Sequence, residues 1–229
     1  MTAVVTGAAR GIGRAVAERF SAERPVVLAD LDPSVEGVAA ELGGIGVVAD
    51  VTSAEGRAAI LDAVEGEITL LVNNAGITKD ARIVKMTEEQ FLAVIRVNLG
   101  AAYELTTALI DHFGDGASIV SLASRAYLGN FGQFNYSASK GGLVGMTRAL
   151  ALQLAPKVRV NAIAPSLTAS EMTSAMPEKV LDKMIASIPL GRMAEPDEIA
   201  ETIATLASPA MAYVTGQVVV ACGGRSLSP

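Results

Sequence analysis

Seven short runs rich in β-branched and aliphatic residues recur along the chain: Thr2–Thr6, Pro25–Asp30, Ile45–Asp50, Thr69–Asn73, Ala117–Ala123, Val158–Ile163 and Gln217–Ala221. Segments of helical period separate them, and this alternation is the strongest constraint on the fold. Several runs are apolar throughout, as strands covered on both faces must be. In the first intervening segment, Ile12, Val16 and Phe20 fall on one helical face. Thr87-Glu88-Glu89-Gln90 reads as a capping box that opens another helix. Pro196 suits a first helical turn, and Ile199, Ile203 and Leu206 follow it on one stripe. Strands joined through helices by short connections make a parallel sheet with right-handed crossovers. The expectation is an α/β, doubly wound, three-layer fold with a seven-stranded parallel sheet. With no repeat or linker in sight, residues 1–229 read as one domain. Hydrophobic residues make up 51% of the chain and aromatics only 4%, so its core is aliphatic. The least regular stretch, Ser166–Glu195, reads as a substrate lid, since loops of that length often are.

Composition removes several classes of function. The net charge of −6 disfavours nucleic acid and acidic membrane surfaces as partners. No apolar run is long enough to span a bilayer, and no signal-peptide pattern opens the chain. One cysteine, Cys222, leaves no internal disulfide and suits a reducing compartment, so a cytoplasmic location is expected. His112 is the only histidine, which leaves little material for a His-based triad or a multi-His metal site. No metal is expected. The high apolar content and the apolar faces of 196–208 and 217–221 suggest that partner subunits cover part of the surface.

The turn Thr6-Gly7-Ala8-Ala9-Arg10-Gly11-Ile12-Gly13 lies between the first strand and the first helix. Gly7 can take a turn that a Cβ would obstruct, Gly11 lets backbone approach a pyrophosphate, and Gly13 allows close helix–strand packing. The free N–H groups of the helix N-terminus then face the phosphates. A glycine-rich turn alone is weak evidence. Here the strand before it, the helix after it and an acid about twenty positions on, Asp30, agree with a dinucleotide-binding, Rossmann-type unit. Asp30 can accept from both adenosine ribose hydroxyls and would repel a 2′-phosphate, so NAD is favoured over NADP. Asp32 is a weaker candidate for the same task, and Arg10 keeps NADP open. Asp50-Val51 follows the third strand, at the carboxyl edge where ligands bind, and reads as an adenine pocket. Asn74, Ala75 and Gly76 end the fourth strand, where small residues would let backbone pass close to a ribose, although an ordinary Asn-rich turn would look alike.

Tyr136 and Lys140 stand four residues apart, one turn of a helix. A unit charge about 4 Å away at an effective dielectric near 20 is worth roughly 4 kcal/mol, which would lower a phenol by up to about three pKa units. Such a tyrosine can exchange a proton with an alcohol or carbonyl oxygen near neutral pH. Asn98 falls on the apolar helix face of Phe91, Val94 and Ile95, a misfit that marks either function or a satisfied core amide. Ser124 follows the last apolar residue of the fifth strand and is placed to reach a crevice there.

Taken in order, Thr6–Gly13, Asn73–Gly76, Asn98, Ser124, Tyr136–Lys140 and Val160-Asn161-Ala162-Ile163-Ala164-Pro165 resemble the short-chain dehydrogenase/reductase family over essentially the whole chain. Asn74–Asp80, Gly129–Gln133 and Pro189-Leu190-Gly191-Arg192 are most similar to its 3-oxoacyl-acyl-carrier-protein reductase branch. The resemblance implies that Tyr136 is the acid–base, Lys140 lowers its pKa and holds the nicotinamide ribose, Ser124 polarises the substrate oxygen, and Asn98 anchors a water in a proton relay. It also implies that the loop after Pro165 holds the carboxamide, through backbone at Leu167–Thr168 and the Ser170 hydroxyl, and that the protein is a homotetramer. The activity implied is interconversion of a secondary alcohol and a ketone. An NADPH-dependent biosynthetic reductase is the alternative, and a non-catalytic nucleotide-binding regulator a third. Three departures stand out. The family's usual serine thirteen positions before the tyrosine is Ala123 here, so Ser124 takes the role only with a one-residue deletion in the loop. Ser166 stands where glycine usually follows Pro165, and the connections around Phe113–Gly116 and Gly43–Gly46 are trimmed.

Overall fold

A computed structural model describes residues 1–174 and 176–227, the side chains of residues 171 and 172 excepted. Strands β1 (Thr2–Thr6), β2 (Val26–Asp30), β3 (Ile45–Val48), β4 (Ile68–Asn73), β5 (Phe113–Leu122), β6 (Val158–Ile163) and β7 (Val218–Val219) form one sheet. Its order is β3-β2-β1-β4-β5-β6-β7, and every neighbouring pair is parallel. The chain reverses direction across the sheet between β1 and β4. A crevice opens at the carboxyl ends of the strands at such a switch point.

Alternation along each strand builds two cores. Ala3, Val5, Val26, Leu28, Val72 and Val120 face one layer, in which α1 (Gly11–Ser21), α2 (Ser34–Glu41) and α9 (Pro196–Ala207) contribute Val16, Phe20, Val35, Ile199 and Ile203. Val4, Val27, Leu71, Ile119 and Val160 face the other, against α3 (Ala54–Asp62), α5 (Ala101–Ala108) and α6 (Phe134–Leu154). Both faces are covered, which is why these strands read as continuous apolar runs. Between β6 and α9, residues 166–195 include the short helices α7 (Glu171–Ser174) and α8 (Glu178–Ala186). Leu181, Met184 and Ile185 sit half-buried and Ile188 buried on one side of this segment. The lid segment's apolar residues also suggest a wall for an apolar substrate; the side chain of Met172, which belongs to that expectation, lies outside the described residues.

Four differences from the sequence expectation have physical causes. Strand β5 begins at Phe113, earlier than Ala117, because the expected trimmed connection is itself paired with β4 across a register shift. Strand β7 is only two residues long. The helix from Thr87 is interrupted: α4 (Glu88–Ile95) runs into a π-helical turn at Arg96–Gly100 before α5. The apolar stripe of α9 is not left for a partner subunit, since Ile199, Ile203 and Leu206 are buried against α1 and the sheet. Arg159 closes the far end of α9 by donating to the carbonyls of Leu206, Ala207, Ser208 and Val214, all within 2.8–3.2 Å. A cation at a helix C-terminus satisfies carbonyls that have no partner inside the helix.

Candidate active site

The glycine-rich turn joins β1 to α1. Gly7 and Gly11 have φ of 65° and 58°, in the left-handed region. At Gly13 a Cβ would lie 2.0 Å from the carbonyl oxygen of Gly7, so no larger residue fits without moving the turn. No side chain caps α1, and its first turn contains no acid. Its leading N–H groups are thus left for an anion. Asn74 holds the floor of this cradle: its amide donates to the carbonyls of Thr6 and Gly7, both at 2.9 Å. Thr6 Oγ1 accepts from the backbone of Asn74 and Ala75, which ties the end of β4 to the turn. Asn74 therefore acts here on the loop itself.

Asp30 ends β2 beside the cradle. One carboxylate oxygen accepts from Ala9 N at 3.0 Å and the other from Asp32 N at 3.0 Å. Arg10 is exposed and paired with Asp32 at 3.0 Å. Two carboxylates and one cation, already engaged, thus stand at the end of β2. Asp50 is exposed and caps its own turn through Thr52, whereas Val51 is buried in the core. Pro165 O accepts from Arg125 N, and Leu167 O accepts from Ala194 N. The backbone at Thr168 bridges Ala194, and the Ser170 hydroxyl caps α7 by accepting from Thr173 N.

Tyr136 and Lys140 share a face of α6. Lys140 is 3% exposed, and its Nζ donates to Leu122 O at 2.6 Å. That ammonium lies 5.6 Å from the centre of the Tyr136 ring. Ser124 caps the turn after β5 by accepting from Ala126 N at 3.2 Å, and its side chain beside the Tyr136 hydroxyl acts to lower the phenol's pKa. Burial outweighs it, and the phenol is held above its ordinary value, with the nearby Asp80 adding to the rise. This reverses the direction expected from the Tyr136/Lys140 spacing. Two causes are visible: the ammonium faces the ring and the Leu122 carbonyl, and burial has drawn Lys140 itself down to about 8.

Asn98 sits in the π-turn, 1% exposed. Its amide accepts from Ile77 N, donates to Ile77 O, and donates to Ser139 Oγ at 3.1 Å. Ser139 in turn donates to Tyr136 O at 2.8 Å. A π-turn at this point is the kind of irregularity found at functional sites. Ser139 and Asn135 were not singled out from the sequence. Asn135, fully buried, donates to the carbonyls of Lys79 and Gln90 and accepts from Tyr136 N, pinning the start of α6. Their only sequence signal is a pair of polar residues at i and i+4 flanking Tyr136 on one helix. Ser121, by contrast, is fully buried within the sheet and its hydroxyl has no partner.

Burying Lys140 has a stability consequence. Its folded pKa, about 8, lies below the unfolded 10.5, so the charge is disfavoured by folding. The cost is full below pH 8 and disappears as pH rises towards 10.5, where both states are neutral. At pH 7 the difference is worth roughly 3 kcal/mol, at about 1.4 kcal/mol per unit. Lys140→Met is expected to unfold at higher temperature than the parent at pH 7, with the gap narrowing between pH 8 and 10. A gap that is absent at pH 7, or that widens with pH, would show that the Leu122 carbonyl compensates the buried ammonium.

The site has counterparts of known chemistry. A family model described as enoyl-(acyl carrier protein) reductase matches residues 7–226. The chain is 40% identical to a 3-oxoacyl-[acyl-carrier-protein] reductase of Thermotoga maritima, covering 96% of each protein. It is 42% identical to an acetoacetyl-CoA reductase of Shinella zoogloeoides, covering 97% of each. A crystal structure of a short-chain dehydrogenase/reductase from Brucella melitensis superposes with a TM-score of 0.92 at 38% identity, over 98% of this chain and 96% of that one. The sheet, the glycine cradle and these relatives together place the chain in the short-chain dehydrogenase/reductase family, as an NAD(P)-dependent oxidoreductase acting on CH–OH groups.

Proposed function

We propose that the chain is an NAD(H)-dependent oxidoreductase that interconverts a secondary alcohol and a ketone, with 3-hydroxyacyl and 3-oxoacyl thioesters as its substrate class. The convergence of Ser124, Tyr136 and buried Lys140 carries this reading. The cradle formed by Gly7 and Gly13 fits a pyrophosphate on the bare N-terminus of α1. Bound nicotinamide supplies or accepts the hydride. Tyr136, protonated at neutral pH, gives its proton to the carbonyl oxygen as that oxygen gains charge, and takes it back in the oxidative direction. Ser124 donates a hydrogen bond to the same oxygen. Lys140 lends positive potential from behind the ring, and Asn98 and Ser139 hold that turn of α6 in place. Exposed Ile83, Val84, Phe131 and Phe134 line a groove beside Ser137, one residue from the acid–base, and suit an acyl portion. We also propose a homotetramer. With α9 consumed within the chain, its contacts fall on faces such as α4 and α5, which expose Leu92 and Tyr103.

The NAD preference rests on charge. Asp30 and Asp32 stand at the end of β2 beside the glycine cradle, where their charge would oppose a 2′-phosphate, and Arg10 is already paired with Asp32. Like charges cost about 1 kcal/mol in water and several in a partly screened cleft, and each ~1.4 kcal/mol is tenfold. NAD is expected to exceed NADP by at least about ten in kcat/KM. Replacing Asp30 with Ala should narrow the gap mainly by helping NADP. Assays of one alcohol with both cofactors decide the matter. Equal values or an NADP preference would favour the second reading, an NADPH-dependent 3-oxoacyl-acyl-carrier-protein reductase, which the name of the Thermotoga relative supports.

A further inference from the structure

Two arginines that the catalytic machinery does not use meet on the β6 side of the crevice. Arg125 immediately follows Ser124, and its backbone N donates to Pro165 O at 2.8 Å. Its Nε is buried and has no hydrogen-bond partner. Arg225, in the turn after Cys222, reaches Ser166 Oγ with Nη1 at 3.5 Å, the residue following Pro165. The main chain of Arg125 and the guanidinium of Arg225 are thus both held against the loop that leaves β6 at the carboxyl edge. Each is half-buried, and the positive charge of Arg125 opposes that of Arg225. Among the described residues neither forms an ion pair with a carboxylate. Two partly desolvated guanidinia without a carboxylate partner are unfavourable, and an anion bridging them would relieve both the repulsion and the orphaned N–H.

We propose that Arg125 and Arg225 form an anion-binding subsite beside the catalytic serine, which takes a carboxylate or phosphate carried by the substrate. The idea rests on the alcohol–ketone reading of the site and narrows its substrate class to anionic molecules. Arg125 is one residue from Ser124, so a carboxylate within a few bonds of the reacting carbon comes from a short oxo acid, whereas a phosphate belongs to a longer thioester handle. Planar guanidinia recognise either group in bidentate fashion. Ser166, in the place usually held by glycine, gives Arg225 an oxygen to rest on.

The test has a binding arm and a kinetic arm. Phenylglyoxal labels arginine, and peptide mass spectrometry reads each site separately in the full-length protein. Acetoacetate or inorganic phosphate should slow the labelling of both Arg125 and Arg225, and neutral methyl acetoacetate should not. Unchanged labelling, or protection that follows protein concentration rather than anion, would overturn the subsite. The latter would place an acidic group of a second copy there. In the kinetic arm, Arg125→Gln/Arg225→Gln should lower the ratio of kcat/KM for acetoacetate over methyl acetoacetate by about tenfold to a hundredfold, the range a charge-assisted hydrogen bond carries. The double lysine variant should restore part of it. If the carboxylate ratio holds and the ratio of acetoacetyl-CoA to acetoacetyl-N-acetylcysteamine falls instead, the anion is the phosphate handle. Constant values of both ratios would refute the proposal. Labelling does not depend on turnover, so a wild-type protein that shows anion protection and reduces none of these compounds would count against the alcohol–ketone reading alone.

Discussion

Tyr136→Phe is expected to lower kcat by about 10²–10⁴ while leaving cofactor affinity within a few-fold of the parent, since loss of a general acid–base has that size. The substitution removes one oxygen from a ring that packs beside the Lys140 ammonium, and leaves the backbone bonds of Tyr136 to Asn135 and Ser139 intact. The parent's pH profile should carry the signature of the same group. Burial holds the phenol above its ordinary value, so at neutral pH it is a proton donor. Ketone reduction should therefore need no alkaline pH, while alcohol oxidation, which needs the phenolate, should rise as pH climbs towards that raised value. Steady-state kinetics in both directions, with cofactor binding followed by fluorescence, check the two claims together. A variant that retains more than about a tenth of the parent's kcat would remove Tyr136 from the chemistry.

Ser124→Ala is the second large effect. The hydroxyl lies beside the Tyr136 phenol at the end of β5, where it can donate to the oxygen that gains charge. Removing one such donor typically costs 10²–10³ in kcat. Ser121→Ala serves as the contrast. Its hydroxyl is fully buried and unpartnered, so its loss should leave kcat within about threefold and be neutral or mildly stabilising. If Ser121→Ala proves the more damaging, the substrate-orienting hydroxyl is Ser121, three residues earlier, and Ser124 has no part in the chemistry. The pair also tests the one-residue deletion that sets this chain apart from the usual family spacing.

The layered fold was legible in the chain because both faces of its strands are covered. Val26–Asp30, apolar through Ala29, leaves little alternative to a strand of a doubly covered, parallel sheet. The glycine cradle was legible for a local reason as well: only glycine tolerates the conformation of Gly7 and the contact at Gly13. Boundaries were less so. Strand β5 gains its first residues from pairing with β4, a long-range bond that no local pattern encodes. The same limit applied to α9, whose apolar stripe looks alike whether a partner subunit or α1 covers it.

In the active site, the sequence alone determined which chemical groups are present and which share a helix face: Tyr136 with Lys140, and Asn98 on an apolar stripe. Tertiary structure decided what each group touches and therefore how it titrates. Spacing along α6 predicted a lowered phenol, because only the nearest charge is visible in one dimension. The folded chain buries both groups, turns the ammonium towards Leu122, and raises the phenol instead. Asn135, Ser139 and the Arg125/Arg225 pair emerged in the same way, as segments as distant as residues 125 and 225 both reach the loop that leaves β6. Desolvation and hydrogen bonding depend on every neighbour in space, and those neighbours are set only when the sheet brings the ends of its strands together.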